Sequence, residues 1–338
     1  MIEIVKPGPL ASVQDLGRHG HRQLGICPGG ALDTLSLTVA NRLVGNPDGA
    51  AGLELTLGNA EIRFHTPTRI ALTGEAFGAR LGTRDVRAGW SVPVEAGDVL
   101  RLQGQASGDR PGLRTWLAVA GGIDVEPMLG SRSTDLKAGF GGLEGRALRK
   151  GDRLPVGESR LTDAQRARRA FGVRLPEDAP AEDDATVLRV MAGPESAQFT
   201  LASLKDLHAA PWRITPQSNR MGSRLSGPEL KRKRGVGDML SAGVIPGTVQ
   251  VPPSGQPIIL MGDSQTTGGY PRIAVVIRAD LCKLAQAPLG GLLRLQPVDA
   301  AAALAAWDAQ QRYLSSVATG LALLGWPGST PGDPQDGN

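Results

Sequence analysis

Aromatic residues are scarce in this 338-residue chain, with five Phe, five Trp and two Tyr. That stock is too thin for the stacking platforms on which single-stranded nucleic acid is usually held, and no nucleic-acid partner is expected. Cysteine is scarcer still. Cys27 and Cys282 are too few and too far apart in sequence for a disulfide framework, which points to a reducing, cytoplasmic setting. The N-terminal MIEIVKPGPL lacks the apolar core of a signal peptide, and no run of about 18 uncharged apolar residues exists, so no membrane association is expected. Histidine is limited to His19, His21, His65 and His208, and neither H-E-x-x-H nor C-x-x-C occurs. His19 and His21 fall on opposite faces of an extended segment, so no metal site is expected.

Glycine (46) and proline (25) are abundant instead, about a fifth of the chain. These are the poorest helix formers, and a helical bundle is excluded. With 41% hydrophobic and 21% charged residues, global disorder is excluded as well. The net charge of +4 is modest. Part of it sits in Lys231-Arg232-Lys233-Arg234, which reads as a solvated loop between Pro228 and Gly235 or as a contact for an acidic partner.

Short apolar runs punctuated by Gly and Pro, such as Ile2–Val5, Ile70–Leu72, Trp116–Ala120, Val187–Met191, Ile258–Met261 and Ile273–Ile277, have strand length. Their spacing suggests antiparallel barrels or sandwiches. Three helices are expected. Asp33 caps one running to Val44 and stopped by Gly45-Asn46, Thr162 caps a charged one through Arg169, and the longest covers Asp299–Leu324. A strand leading into Gly-Pro occurs at Ile4 to Pro9 and again at Val190 to Pro194. The pattern R-x-G-x-R-x-x-G occurs at 18–25 and again at 220–227. Two echoes in register favour a tandem duplication. The expected organisation is a first lobe at 1–175, an acidic linker at 176–186, a second lobe at 187–298, a C-terminal helix at 299–325 and a disordered tail at 326–338.

The common catalytic signatures are absent. There is no G-x-x-x-x-G-K-[ST]. Gly262-Asp263-Ser264-Gln265-Thr266 begins like a nucleophile elbow, but Thr266 stands where the last glycine must sit. Four glycine-framed polar clusters stand out instead. They are Asp15–Gly20 with Pro28–Asp33; Gly121–Asp124 with Gly130–Asp135; Gln217–Gly222; and Asp263–Pro271. Glycines there let a ligand approach the backbone closely. An oxygen-rich ligand such as a small carboxylate, an amide or a phosphate suits Arg132, Arg220 and the hydroxyls, while the same polar residues also satisfy turn backbones.

At these clusters the sequence resembles the 5-oxoprolinase C-subunit family. That family is also called the KipI antagonist or allophanate hydrolase subunit 2 family, and is labelled biotin-dependent carboxyltransferase. The matching stretches include SVQDLGRHGHRQLGICPGGALD (12–33), ANRLVGN (40–46), LELTLG (53–58), ALTG (71–74) and WLAVAGGIDVEPMLGSRSTDLKAGFGGLEGRALRKGD (116–152). They continue with SNRMGSRL (218–225), IPGTVQVPPSGQPIILM (245–261) and DSQTTGGYPRIAVVI (263–277). The chain departs from the family pattern at His21 and Ser223, where an aromatic is expected, and at Ala242, where an acidic residue is usual.

The resemblance implies a mainly β chain of two tandem cyclophilin-like β-barrel lobes with a few short helices and a C-terminal helix. It implies two partners, a KipI-like B subunit plus an A subunit, with which the chain cleaves 5-oxo-L-proline to L-glutamate using ATP. ATP then belongs to the assembly, held by this chain or by one of its partners, and this chain alone is expected to be inactive. Alternatives are the carboxyltransferase component of a biotin-dependent, urea-type carboxylase, the one case in which biotin enters, and a non-catalytic antagonist of a KipI-like kinase inhibitor. The candidate catalytic residues are Asp33 and Asp135, as general base or orienting group. Arg132 and Arg220 are candidates for anion binding. Ser133, Asn219, Gln265, Thr266, Thr267 and Tyr270 are candidates for holding an amide or carboxylate.

Overall fold

The Gly- and Pro-bounded apolar runs form strands, and the computed structural model describes residues 1–104, 112–176, 184–237 and 239–327. The chain divides into two compact units. Unit 1 comprises Met1–Gly17, Thr34–Glu177 and Gln310–Asn338, and unit 2 comprises Arg18–Asp33 and Asp178–Ala309. Residues 18–33, which the sequence places in the first lobe, therefore group with the second. The reason is local: Leu32 packs in the unit 2 core, and Gly29 N–H donates to Gly262 O at 3.2 Å.

Unit 1 contains β1 (Ile2–Lys6), β2 (Leu10–Gln14), β3 (Gly52–Thr56), β4 (Ala60–Phe64), β5 (Thr68–Gly74) and β6 (Arg80–Leu81). It continues with β7 (Arg84–Asp85), β8 (Trp90–Val94), β9 (Val99–Leu102), β10 (Arg114–Val119), β11 (Arg153–Leu154) and β12 (Phe171–Gly172). These form two six-stranded sheets, ordered β11-β1-β4-β9-β6-β7 and β12-β8-β5-β10-β3-β2. The core carries Ile4, Ile62, Phe64, Leu53, Leu72 and Leu117. Burial of each such side chain contributes about 1.5–3 kcal/mol. In β4 burial alternates residue by residue, as in a sheet with one face on the core. All of β10 is buried, because helix α1 (Thr34–Leu43) lies over the other face of its sheet.

The helix ends follow local chemistry. Asp33 immediately precedes α1, and beyond its end Gly45 takes φ +73° while Asn46 Nδ2 donates to Asn41 Oδ1 and to Val119 O. The helix expected from Thr162 is only α2 (Asp163–Arg166), with a capping box between Thr162 and Gln165. It stops early because the carbonyls of Arg166, Arg168 and Arg169 turn toward the guanidinium of Arg69. Trp326, expected in the tail, is instead buried against Phe171, with ring centroids 4.9 Å apart, and beside Arg69. The remaining tail from 328 and most of the linker lie outside the described residues.

Unit 2 contains β13 (Thr186–Ala192), α3 (Leu201–Ala209), β14 (Trp212–Ile214), β15 (Gly222–Ser226), β16 (Ala242–Gly243), β17 (Thr248–Gln250) and β18 (Ile258–Leu260). It continues with β19 (Thr267–Gly268), β20 (Arg272–Val276), α4 (Leu281–Gln286) and β21 (Leu292–Pro297). Seven strands close a barrel in the order β13-β20-β17-β18-β15-β14-β21, with β13 and β21 parallel. Its core includes Leu188, Val190, Trp212, Val249, Ile259 and Leu293. The ribbon β16–β19 stands outside the barrel. The long C-terminal helix is α5 (Ala300–Leu323), whose first turn is capped by Asp299 Oδ1 accepting from Ala302 N–H at 2.8 Å. The chain is thus mainly β with few helices and a C-terminal helix. Of the two sequence echoes, the R-x-G-x-R-x-x-G pair is not a structural repeat. Residues 18–25 are loop with one 3-10 turn, whereas 222–226 are barrel strand β15.

Candidate functional site

The glycine-framed clusters resolve into two polar centres, one in each unit. In unit 1 the organiser is Asp15, just past the end of β2. Its Oδ1 accepts from Ser131 Oγ at 2.7 Å, Ser133 Oγ at 2.5 Å and Gly17 N–H at 2.8 Å, and its Oδ2 accepts from Arg132 N–H at 2.5 Å. A carboxylate holding four donors is a strong anchor for the 130–135 loop. Ser133 is therefore engaged on Asp15. Asp135 accepts from the N–H groups of Lys137 and Ala138 at 3.0 and 2.9 Å, which shapes the turn that follows. The Arg132 guanidinium reaches Val125 O at 2.8 Å and Asp124 at 3.1 Å, on a partly exposed surface.

In unit 2 the centre is Arg220. Its Nε and Nη2 donate to Asp263 Oδ2 and Oδ1 at 2.8 and 3.0 Å, and Nη2 also donates to Gly30 O at 2.6 Å. Both side chains of this pair are 4% exposed. Arg18 is buried beside Gly29. A Cβ at Gly29 would lie 3.1 Å from Arg18 Nη1 and 3.9 Å from Asp263 Oδ1, and the residue has φ +60°. Glycine there lets two guanidinium groups and one carboxylate close around the backbone. Asp33 is buried nearby in sequence, its Oδ2 accepting from Gln286 Nε2 at 2.9 Å.

The remaining candidates lie on unit 2 loops. Asn219 is exposed and its Oδ1 accepts from Met221 N–H at 2.8 Å, closing the turn before β15. Gln265 and Thr266 are half-buried, while Thr267 and Tyr270 are exposed on and beside the β16–β19 ribbon. Gly268 packs against the end of the Gln250 side chain, whose Nε2 would sit 2.7 Å from an added Cβ and donates to Tyr270 O at 3.1 Å. Sequence reasoning does not single out Asp15 and Asp263 as site residues. Both lie inside the quoted clusters, but their partners come from distant segments, so no local signal distinguishes them.

The shifted ionisable groups stand elsewhere. Hydrogen bonds from Arg272 hold Glu195 below the usual carboxylate range, and those from Arg146 do the same for Asp152. Burial, aided by Arg168, lowers Arg69 to about 10, and burial pushes Tyr313 up to about 12. A groove of about 740 Å³ in unit 1, lined by Phe171, Leu175, Tyr313, Val317 and Leu321 among others, is away from the Asp15 centre in sequence and is largely apolar.

A seven-stranded closed barrel with a glycine-wrapped, buried arginine–carboxylate pair, following a two-sheet β unit, defines a two-unit β module. The chain belongs to the family of the carboxyltransferase domain, subdomain A and B, which it matches over residues 24–297. It is 47% identical to the C subunit of 5-oxoprolinase from Escherichia coli over 94% of this chain and 98% of that protein. It is 38% identical to the C subunit of 5-oxoprolinase from Haemophilus influenzae over 88% of this chain and 91% of that protein. Among solved structures it is similar to the K. lactis urea amidolyase, with a TM-score of 0.84 and 28% identity over 99% of this chain. It spans only 20% of that much longer enzyme. No helix among the described residues is long and apolar enough to cross a membrane.

Proposed function

We propose that this protein is the C subunit of an ATP-dependent 5-oxoprolinase of the cytoplasm. It acts with a KipI-like B subunit plus an A subunit to open 5-oxo-L-proline to L-glutamate, and is inactive alone. The observation that carries this reading is 47% identity across 98% of the length of an E. coli protein of that name. A lactam is a poor electrophile, so ATP serves to phosphorylate its carbonyl oxygen, releasing ADP. Water then adds to the carbon, the C–N bond breaks as the nitrogen takes a proton, and hydrolysis of the resulting acyl phosphate releases glutamate and phosphate. Arg220 is engaged on Asp263 and Gly30, which suits it to fixing the Gly29–Gly30 and 262–267 loops. ATP belongs to the assembly, held by this chain or by one of its partners.

In this reading Gln265, Thr266, Thr267 and Tyr270 orient the substrate amide or carboxylate, and Asn219 shapes the neighbouring turn. Asp33, held by Gln286, is the candidate general base in preference to Asp135, whose carboxylate is occupied by its own turn. The test is reconstitution. The chain is mixed with its A and B partners, ATP and 5-oxoproline, and glutamate is assayed. Glutamate from the full mixture and none from any component alone is expected. Tight association with the B partner but no turnover in any mixture would point instead to the antagonist role.

The similarity to urea amidolyase favours one second reading, a carboxyltransferase component working on a biotinylated carrier supplied in trans. Failure of a biotinylated carrier to bind or transfer removes it.

A further inference from the structure

The groove of about 740 Å³ in unit 1 has two unlike walls. One is the chain at residues 171–176, which begins with β12. The other is α5, through Tyr313, Val317, Gly320, Leu321 and Leu324. Spacings of three and four residues put those helical positions in one stripe. The first wall follows a different rule. Side chains on one face of a strand alternate, yet all six consecutive residues line the groove, so it runs along the edge of this segment.

Among the described residues that edge has no strand beyond it, for β12 is last in its sheet and pairs with β8 alone. Val173 N–H donates to Gly89 O at 2.9 Å, on the β8 side, so the backbone groups of Gly172 and Arg174 point the other way. Tyr313 Oη donates to Arg174 O at 3.0 Å, which shows that this other side faces α5. Phe171, Val173 and Leu175 pack against a core cluster, while Gly172, Arg174 and Pro176 are exposed. An open strand edge beside a helix is the geometry in which an extended peptide adds as one more strand. Six residues at strand spacing cover about 20 Å, room for a segment of similar length.

Two further observations say what fits. Gly320 stands inside a 24-residue helix, where glycine is a poor choice, and a Cβ added there would meet no neighbour within 4 Å. The helix thus leaves space on its groove side that its own packing does not use. Charge then selects the occupant. Residues 164–176 hold four arginines and no acidic residue, and 309–324 add Arg312 and no acid. Arg174 lines the groove, and Arg168 stands at its end, donating to Leu324 O at 3.1 Å. Two copies of this edge would bring like charges together, whereas a segment bearing carboxylates is drawn in.

We propose that this groove docks an extended segment of a partner protein as an added strand on β12. The segment carries alternating apolar side chains, with Asp or Glu at its ends. Backbone hydrogen bonds to Gly172 and Arg174 hold it, and its apolar side chains lie on the Tyr313–Leu324 stripe of α5. Docking here does not depend on the proposed activity, since no groove residue is assigned to substrate.

The full chain is titrated with three fluorescein-labelled nine-residue peptides of alternating valine and threonine. One ends in glutamates, one in lysines, and one in glutamates with its central amides N-methylated. Fluorescence anisotropy gives the affinities, and ¹⁵N-labelled protein reports the backbone amides. The first peptide is expected to bind at least about tenfold more tightly than the other two, as loss of charge attraction or of backbone hydrogen bonds predicts. The amide signals of Gly172 and Arg174 are expected to shift more than those of Phe171 and Val173. Gly320→Leu fills the groove with a better helix former, so it is expected to melt no lower than wild type and to weaken the first peptide at least about tenfold. Arg174→Glu is expected to reverse the preference between glutamate and lysine ends. Should Gly320→Leu melt lower, the N-methyl comparison and Arg174→Glu decide. The proposal is overturned by no binding of the first peptide, by equal binding of its N-methylated form, or by a folded Gly320→Leu that binds as wild type does. A wild-type dimer that Gly320→Leu dissociates also overturns it, for then a second copy covers the groove.

Discussion

Arg220 and Asp263 meet in a two-point contact 43 residues apart in sequence, and the same guanidinium reaches the carbonyl of Gly30, 190 residues away. One buried side chain therefore joins three loops of unit 2. Removing either partner leaves a charge in a site closed to water, which is the costly way to break an ion pair.

Arg220→Ala is accordingly expected to cost about 3–5 kcal/mol of stability in urea unfolding. Arg220→Lys should recover little, because an ammonium cannot span both carboxylate oxygens as a guanidinium does. A loss for Arg220→Ala below about 1 kcal/mol, the range of surface pairs, would show the contact to be dispensable.

Asp15 gathers four donors from the 17 and 131–133 segments. Asp15→Asn preserves shape but turns an NH₂ group toward donors, so a loss of about 1–3 kcal/mol is expected. Hydrogen exchange should rise selectively at the amides of Arg132 and Ser133. Unchanged protection there would remove Asp15 as the loop's anchor.

Trp326 closes the Arg69 cage near the end of the described chain. It sits edge-on to Phe171, and Arg69 lies 5.2 Å from its ring. Trp326→Ala is expected to cost about 3–5 kcal/mol, as for other buried aromatics. Thermal unfolding measures it, and a melting temperature equal to wild type would contradict the packing described.

Acid sensitivity follows from Glu195 and Asp152, whose folded pKa values are lowered by Arg272 and Arg146. Their contribution is present above the ordinary carboxylate range, where the unfolded groups are already ionised. It is lost as pH falls through the lowered folded values. Melting temperature should therefore drop steeply below about pH 4, the unfolded carboxylate range. Glu195→Gln should flatten that acid limb and lower stability at pH 7. A parallel acid limb in the variant would refute the assignment.

Much of the architecture was legible along the chain. Gly45 with Asn46 marks the end of α1, Asp299 marks the start of α5, and Val187–Met191 and Ile273–Ile277 mark two strands now paired in the barrel. These signals are local: a cap, a left-handed glycine, an apolar run of strand length. Arg220 was legible as a charged residue framed by glycine, but its partner was not, since nothing near residue 220 points to 263. The early end of α2 was not legible either, because the carbonyls of Arg166, Arg168 and Arg169 are drawn to Arg69, about a hundred residues upstream.

What the sequence alone determined is the mainly β class, the capped helices, the four glycine-framed clusters and the family resemblance. Each rests on residue type and short spacing, where backbone preference and burial act over a few residues. Only the tertiary structure decided that residues 18–33 belong with unit 2, that Asp15 and Asp263 organise the two polar centres, and that Arg69 gathers the carbonyls that end α2. Those outcomes depend on strand register and on charge and hydrogen-bond pairing between distant segments, which no local pattern encodes.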